Sequence, residues 1–376
     1  MVLRVVVGYT GAVGAQVVRL LLRDPGFEVV GVLVHHPEKD GRDVGELVGL
    51  DPVGLTATRD VDRLAGLKAD VLSWHGRTWE PATIARFLRA GTSVYSGIGG
   101  WFLPGQPEFA EIQAAAEEGG AAFVAGGSIP GLVSDVLPLF VSGYSAEVRM
   151  VRAWQSNHVA HYPSAAQLEQ GLGFGVPVEP GAGSSPVDDM WLWGIEQSAR
   201  IVAAGLGIPF GEVRLTGKDF GLSPEDMVLE PSGLRVANGT PAGVRWTFTA
   251  FSRGAAFYEL VNEQTARLDL GEGWRSSTED PNWRVLIEGT PSIACQIGFP
   301  GEAGSDQASA LNAARAVNFL PRIAAAAPGW RTRAGRSCPG GHAHGQSSRL
   351  SRPQSATHRV APTPNRAAPG CLPDGR

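Results

Sequence analysis

A chain of 376 residues is long enough for two domains of ordinary size, and 43% hydrophobic with 18% charged residues is the balance of a globular protein, neither fibrous nor disordered. The net charge of -5 understates the acidity of the body, because seven arginines face one aspartate from Arg333 onward; an acidic body repels polyanions, which excludes non-specific nucleic-acid binding. Cys338 and Cys371 lie in the basic tail and only Cys295 in the body, so a disulfide framework or cysteine metal site is excluded there. No apolar run approaches the ~18–20 residues of a membrane span, and the N-terminus enters a strand-like pattern without a signal peptide, so a cytoplasmic protein is expected.

Val2 to Val7 is a β-branched run that ends at Gly8 and leads into an amphipathic stretch from Ala12 to Arg23, giving strand, tight turn and helix. Further strands are expected at Val29–Val34, Leu55–Thr58, Ala69–Trp74, Thr92–Ser96 and Ala121–Ala125, with helices such as Thr83–Ala90 and Glu108–Glu118 between them. This alternation predicts a doubly wound parallel sheet of Rossmann type over residues 1–130. Beyond it come a helix at Leu132–Val141, a strand at Val148–Trp154, a Gly- and Pro-rich loop and a long helix from Val187 to Ala204. Segments at Glu212–Phe220, Gly243–Phe251, Ala256–Ala266, Trp283–Glu288 and Ser292–Ile297 then predict a mostly antiparallel sheet, so residues 131–305 are expected to form a second, α+β domain. An Ala-rich helix within 306–332 is expected to pack back on the first domain. Residues 333–376 contain almost no large apolar side chains and are expected to be disordered; the tail is read either as a basic arm or, preferably, as a product of translation in a wrong reading frame.

Gly8-Tyr9-Thr10-Gly11-Ala12-Val13-Gly14 sits directly after the first strand and opens the first helix. Glycines at this spacing let the backbone turn sharply and approach a pyrophosphate, held by free N–H groups and the positive end of the helix dipole. Gly8, Thr10, Gly11, Ala12, Val13 and Gly14 are therefore expected cofactor contacts. The second strand ends in Val34-His35-His36-Pro37, without the acid that bonds the ribose hydroxyls of NAD. Lys39 and Arg42, with His35 or His36, suit a 2′-phosphate, so NADP is expected and NAD is the alternative. Trp74, His75 and Gly76 at the end of the expected fourth strand, and Ser96, Gly97 and Ile98 at the end of the fifth, should line the nicotinamide side, because ligands bind beyond the carboxyl ends of such strands. Asn318, on the last helix, completes the expected set.

The glycine turn, Gly41-Arg42-Asp43-Val44-Gly45-Glu46-Leu47, Pro130-Gly131-Leu132-Val133-Ser134-Asp135, Ile287-Glu288-Gly289 and Arg315-Ala316-Val317-Asn318, in this order, resemble the family with a dihydrodipicolinate reductase-like N-terminal domain, on the side of the 2,4-diaminopentanoate dehydrogenases and NAD(P)-dependent amine dehydrogenases. The resemblance covers residues 1 to about 332. It implies a homodimer whose second domain carries the substrate, and hydride exchange between nicotinamide and a carbon bearing an amine or imine. It also implies a glutamate after the fifth strand to hold the amine, where this chain reads Ser96-Gly97-Ile98-Gly99-Gly100-Trp101. Glu108 and Glu263 are poor substitutes.

His158 and His161 follow the first strand of the second domain, and a histidine near neutral pKa can carry the proton that accompanies hydride transfer; the alternative is a surface pair in a polar loop. No third ligand at a recognisable spacing accompanies them, so no metal is expected. The resulting expectation is an NAD(P)-dependent oxidoreductase acting on an amine, imine or carbonyl carbon of a small molecule, with a nucleotide-binding sensor or pseudoenzyme as the alternative.

Overall fold

The computed structural model describes residues 2–178, 185–271, 273–274, 283–299 and 304–332; the expected disordered tail lies outside them. The chain begins with β1 (Leu3–Gly8), α1 (Ala12–Arg23) and β2 (Phe27–Leu33), followed by short helices α2 (Val44–Leu47) and α3 (Val61–Ala65). Strand β3 (Val71–Trp74), helix α4 (Pro81–Arg89), strand β4 (Ser93–Ser96), helix α5 (Phe109–Gly119) and strand β5 (Ala122–Ala125) complete the first domain. Strands β3, β4 and β5 are buried along their whole length, as strands of a sheet covered on both faces must be. All pairings among β1 to β5 are parallel. The architecture is the doubly wound sheet that the alternation of elements predicts.

One expected strand is corrected. Leu55–Thr58 makes only isolated bridges, Thr58 with Leu33 and Thr56 with Asp43. The cause is local: the Asp43 carboxylate accepts from the amides of Gly45, Val53 and Gly54, which ties the chain into a compact loop across the end of β2. Trp74 therefore ends the third strand and Ser96 the fourth.

From Ser128 to Val136 the helical path is interrupted by extended backbone at Ile129 and Pro130 and by Gly131 at φ 150°, before α6 (Leu137–Ser142). The second domain continues with β6 (Glu147–His158), α7 (Pro186–Leu206), β7 (Glu212–Leu222), the hairpin β8 (Met227–Leu229) and β9 (Leu234–Val236), then β10 (Pro241–Ser252), β11 (Ala255–Thr265), β12 (Trp283–Thr290) and β13 (Ile293–Ile297). Its main sheet has the order β13-β12-β6-β11-β10-β7. Pairing is antiparallel except between β11 and β6. Alternate residues such as Val151, Ala153, Trp246, Phe248, Tyr258 and Leu260 form one apolar core with Ile195, Ala199, Val202 and Leu206 of α7.

The chain then returns to the first domain through α8 (Gly304–Ala324) and β14 (Gly329–Trp330). Ala313, Ala316, Leu320 and Ile323 of α8 are buried with Val17, Val18 and Leu21 of α1 and with Tyr95 and Val124 of the sheet. Strand β14 pairs in parallel with β5 and becomes the sheet's sixth strand, in the order β14-β5-β4-β3-β1-β2.

Helix α7 is held to the sheet by a buried carboxylate. Asp188 is 2% exposed and accepts from the Trp246 indole at 2.6 Å and the Lys218 ammonium at 2.9 Å, while forming a capping box with Ser185. Burial alone would raise its pKa, but the bond from Lys218, with those from Ser185 and Trp246, holds it below the ordinary value. Replacing Asp188 by Ala strands the half-buried ammonium and the indole N–H. Urea unfolding at neutral pH is expected to show a loss of about 2–3 kcal/mol, and Asp188→Asn a smaller one.

Candidate cofactor site

Two of the three glycines of the first turn are fixed by contact. A Cβ at Gly14 would lie 2.1 Å from the Tyr9 carbonyl oxygen, and one at Gly8 would lie 2.8 Å from the Trp74 ring. Gly11 differs: it is the N-cap of α1, and nothing lies within 4 Å of where its Cβ would be. No side chain caps the helix start, and no acidic residue occupies its first turn. The start of α1 thus has uncapped first-turn amides beside open space at Gly11, the arrangement in which a helix N-terminus can hold an anion. The left-handed residue of the turn is Tyr9, at φ 72°. Its ring packs edge-on to Trp74 at 5.0 Å and its hydroxyl donates to Glu80 at 3.3 Å. Burial, with the Glu80 charge beside it, pushes the Tyr9 pKa up to about 12, so it stays protonated.

Lys39 reaches the turn and donates to the Thr10 hydroxyl at 3.2 Å. Arg42 instead pairs with Glu46 at 3.5 Å on the exposed surface. His35 and His36 are exposed and pack edge-to-face, with His36 3.6 Å from Glu38. These groups gather beyond the end of β2, and of them Lys39 is the one bonded to the glycine turn.

At the carboxyl ends of β3, β4 and β5 lies a cavity of about 160 Å³, walled by Val13, His75, Gly76, Tyr95, Gly97 and Ile98 on one side and by Gly126, Gly127, Ser128, Ile129 and Asn312 on the other. His75, Gly76, Gly97 and Ile98 therefore come together where the sequence reading places them. Trp74 and Ser96 do not face the cavity. Trp74 is fully buried beneath Gly8, Gly76 and Tyr9, while the Ser96 hydroxyl donates to the Ile98 carbonyl at 2.6 Å and accepts from its amide, shaping the next turn from within. Asn318 is also misplaced by the sequence reading. It is exposed and lines a separate cleft with Leu3, Asp24, Phe27 and Asp70, at the opposite, amino ends of the strands. Helical rotation explains the error: six residues earlier on the same helix, Asn312 faces the cavity.

The second wall is fixed by a buried network. Asp135 and Ser134 are fully buried; Ser134 and Ser198 both donate to the Asp135 carboxylate, at 3.0 and 2.9 Å, and the Gly131 amide donates to Ser134 at 2.9 Å. Tyr258 adds a bond to the Ser134 carbonyl. Strand β11 and helix α7 of the second domain thereby hold the turn that closes the cavity.

Among the described residues, no carboxylate lines this cavity. At Gly99 and Gly100, where φ is 75° and 72°, a Cβ would lie 2.5 and 2.6 Å from the rings of Trp79 and Phe123. The loop after β4 thus has no room for a glutamate at those two positions. Glu263 is buried far along β11 and bonded to Ser156 and Arg245, so it is a structural carboxylate. His158 ends β6, where Nε2 lies 3.2 Å from the Ala266 carbonyl, and burial lowers its pKa. His161 is its ring neighbour at 6.5 Å. Neither is among the cavity-lining residues. No group of three or more metal-ligating side chains exists among the described residues, and no helix among them is long and apolar enough to cross a membrane.

A glycine turn on a parallel sheet, with a cavity at the adjoining strand ends closed by a turn that α7 and β11 hold in place, is the arrangement of a Rossmann-type dinucleotide-binding fold. Residues 3–73 match the dihydrodipicolinate reductase N-terminal model, and residues 132–349 match that of the 2,4-diaminopentanoate dehydrogenase C-terminal domain. The chain belongs to the 2,4-diaminopentanoate dehydrogenase family. It is 30% identical over 345 residues to an amine dehydrogenase of Streptomyces virginiae, covering 86% of this chain and 93% of the relative. A 2,4-diaminopentanoate dehydrogenase of Acetoanaerobium sticklandii is 24% identical, with 88% and 92% covered. In fold, the chain is similar to the solved amine dehydrogenase of Mycobacterium smegmatis, with a TM-score of 0.69 at 20% identity over 88% of this chain and 94% of that one.

Burial lowers the pKa of His75 to about 4, and its Nε2 lies 2.9 Å from the Ser73 hydroxyl. A folded-state pKa below the unfolded value of about 6.5 means that the unfolded chain takes up the proton first, so stability declines as pH falls from about 6.5 towards 4. Urea midpoints are expected to fall across that window, and His75→Gln is expected to flatten the decline. An NMR titration should find His75 neutral throughout the range above pH 5.

Proposed function

We propose that the chain is an NADP-preferring oxidoreductase that exchanges hydride with the carbon of a small amine or its imine. The observation that carries this reading is that Val13, in the turn opened by the unobstructed Gly11, also lines the ring-sized cavity beyond β3, β4 and β5, in a chain whose full-length relatives are named amine and diaminopentanoate dehydrogenases. The amides of Ala12 and Val13 and the dipole of α1 bind the pyrophosphate. Lys39, with His35 and His36, binds the 2′-phosphate, since no acid ends β2 to compete for ribose hydroxyls. Arg42 contributes by leaving Glu46. A nicotinamide bound in the cavity supplies the hydride exchange. The chain's own task there is to orient the ring, exclude water and present neutral polar groups, because the walls carry no formal charge that would hold an ammonium. The amine is therefore bound in its neutral form, and His158 and His161 are the candidate proton carriers from the second domain. A cytoplasmic homodimer belongs to the same reading.

Titration of the full chain with NADPH and NADH is expected to show tighter binding of NADPH. Gly11→Asp should abolish both, since it places a carboxylate in the cradle, and Lys39→Ala should weaken NADPH about tenfold with little effect on NADH. Binding without turnover on any amine, or on ketones with ammonia, at alkaline pH would leave the sensor reading in place of the enzyme. His158→Gln and His161→Gln, assayed separately, should lower kcat by at least about 100-fold for whichever carries the proton. An unchanged kcat in both removes the pair from the mechanism.

A further inference from the structure

Asn312 is an unexpected residue for its position. It lies in α8, where the neighbouring inward positions are small or aliphatic, and Asn is a poor helix former. Its Nδ2 makes one long bond to the Ser128 hydroxyl, at 3.4 Å. Its Oδ1 is buried, lies beside the cavity wall at Gly127 and accepts no hydrogen bond. A buried carbonyl without a donor destabilises the chain that contains it, so such an atom at a cavity edge points to a ligand donor. The donor is a neutral one, because the cavity is lined without a carboxylate that would draw in a cation. The size is informative as well: a cavity of about 150 Å³ takes one benzene ring, and this one is about 160 Å³.

We propose that the Asn312 side chain is the anchor of the nicotinamide carboxamide, its Oδ1 accepting from the ligand's amide N–H. The helix that leaves the second domain thus sets the rotation of the ring, and with it the face presented to substrate. The inference rests on the nicotinamide reading above and adds a residue outside the glycine turn. It accounts for a polar side chain at the point where α8 passes the carboxyl ends of the strands, where a purely structural helix would carry an aliphatic one.

The test compares ligands that differ only in the ring. Calorimetric titrations of the full chain with NADPH and 2′-phospho-ADP-ribose, and with NADH and ADP-ribose, are run on the parent chain, Asn312→Ala and Asn312→Leu. The expected result is a roughly 5- to 10-fold loss of affinity for the nicotinamide nucleotides in both variants, with the ring-free nucleotides bound as tightly as before. Retained binding of the ring-free nucleotides also shows that the variants fold. Equal weakening of both ligand types, or no change in either, overturns the inference and leaves the nicotinamide reading intact. Failure of the parent chain to bind any of the four overturns both.

Discussion

The site depends on a single close approach of backbone to backbone. The Gly14 Cα comes so near the Tyr9 carbonyl that a Cβ would stand 2.1 Å from that oxygen. Only there can α1 start directly above the end of β1 with its first amides unobstructed. Trp74 makes the same demand from below, since its ring fills the space a side chain at Gly8 would need. The turn is thus clamped between a helix and an indole. Tyr9, forced to φ 72°, stays in place because its ring and hydroxyl are both engaged. The rigidity belongs to the scaffold, and Gly11 alone of the three glycines leaves open space beside it.

A second clamp operates at the other wall. The segment after β5 has irregular backbone, and in isolation it would have many conformations to lose. It is pinned by one buried carboxylate, Asp135, which collects the hydroxyls of Ser134 and Ser198, while Ser134 in turn receives the Gly131 amide. Such a network is costly if partly satisfied and specific when complete. Because Ser198 lies on α7 and Tyr258 on β11, the second domain shapes the cavity without reaching into it. The two domains are coupled through that turn, and the pairing of Trp101 with Trp193 at 5.3 Å adds an apolar contact beside it.

The loop after β4 departs from the glutamate expected of an amine dehydrogenase in a way the structure makes intelligible. Gly99 and Gly100 occupy left-handed backbone pressed against Trp79 and Phe123. At these two positions the loop packs its backbone closely against aromatic rings, with no room for a charged side chain. In the proposed reading, recognition of a C–N group falls to neutral polar atoms, because burying an ammonium without a counter-charge is expensive.

Local chemistry made much of this legible in the sequence. The β-branched run into Gly8, the glycine spacing and the amphipathic stretch after it define strand, turn and helix, because each depends on residues close together in the chain. The alternation of short apolar strands and helices likewise determined the doubly wound sheet. His75, Gly97 and Ile98 could be placed at the cavity because they follow strand ends, where such folds open their clefts. Leu55–Thr58 reads as a strand but is held in a loop by Asp43, more than ten residues away. Trp74 and Ser96 stand at strand ends, yet turn inward, since burial depends on what packs above them. The last helix was recognisable by composition, but its rotation about its own axis was not. Packing against α1 and the sheet decided that Asn312 faces the cavity and Asn318 faces away, because only the tertiary contacts fix which side of a helix is inward.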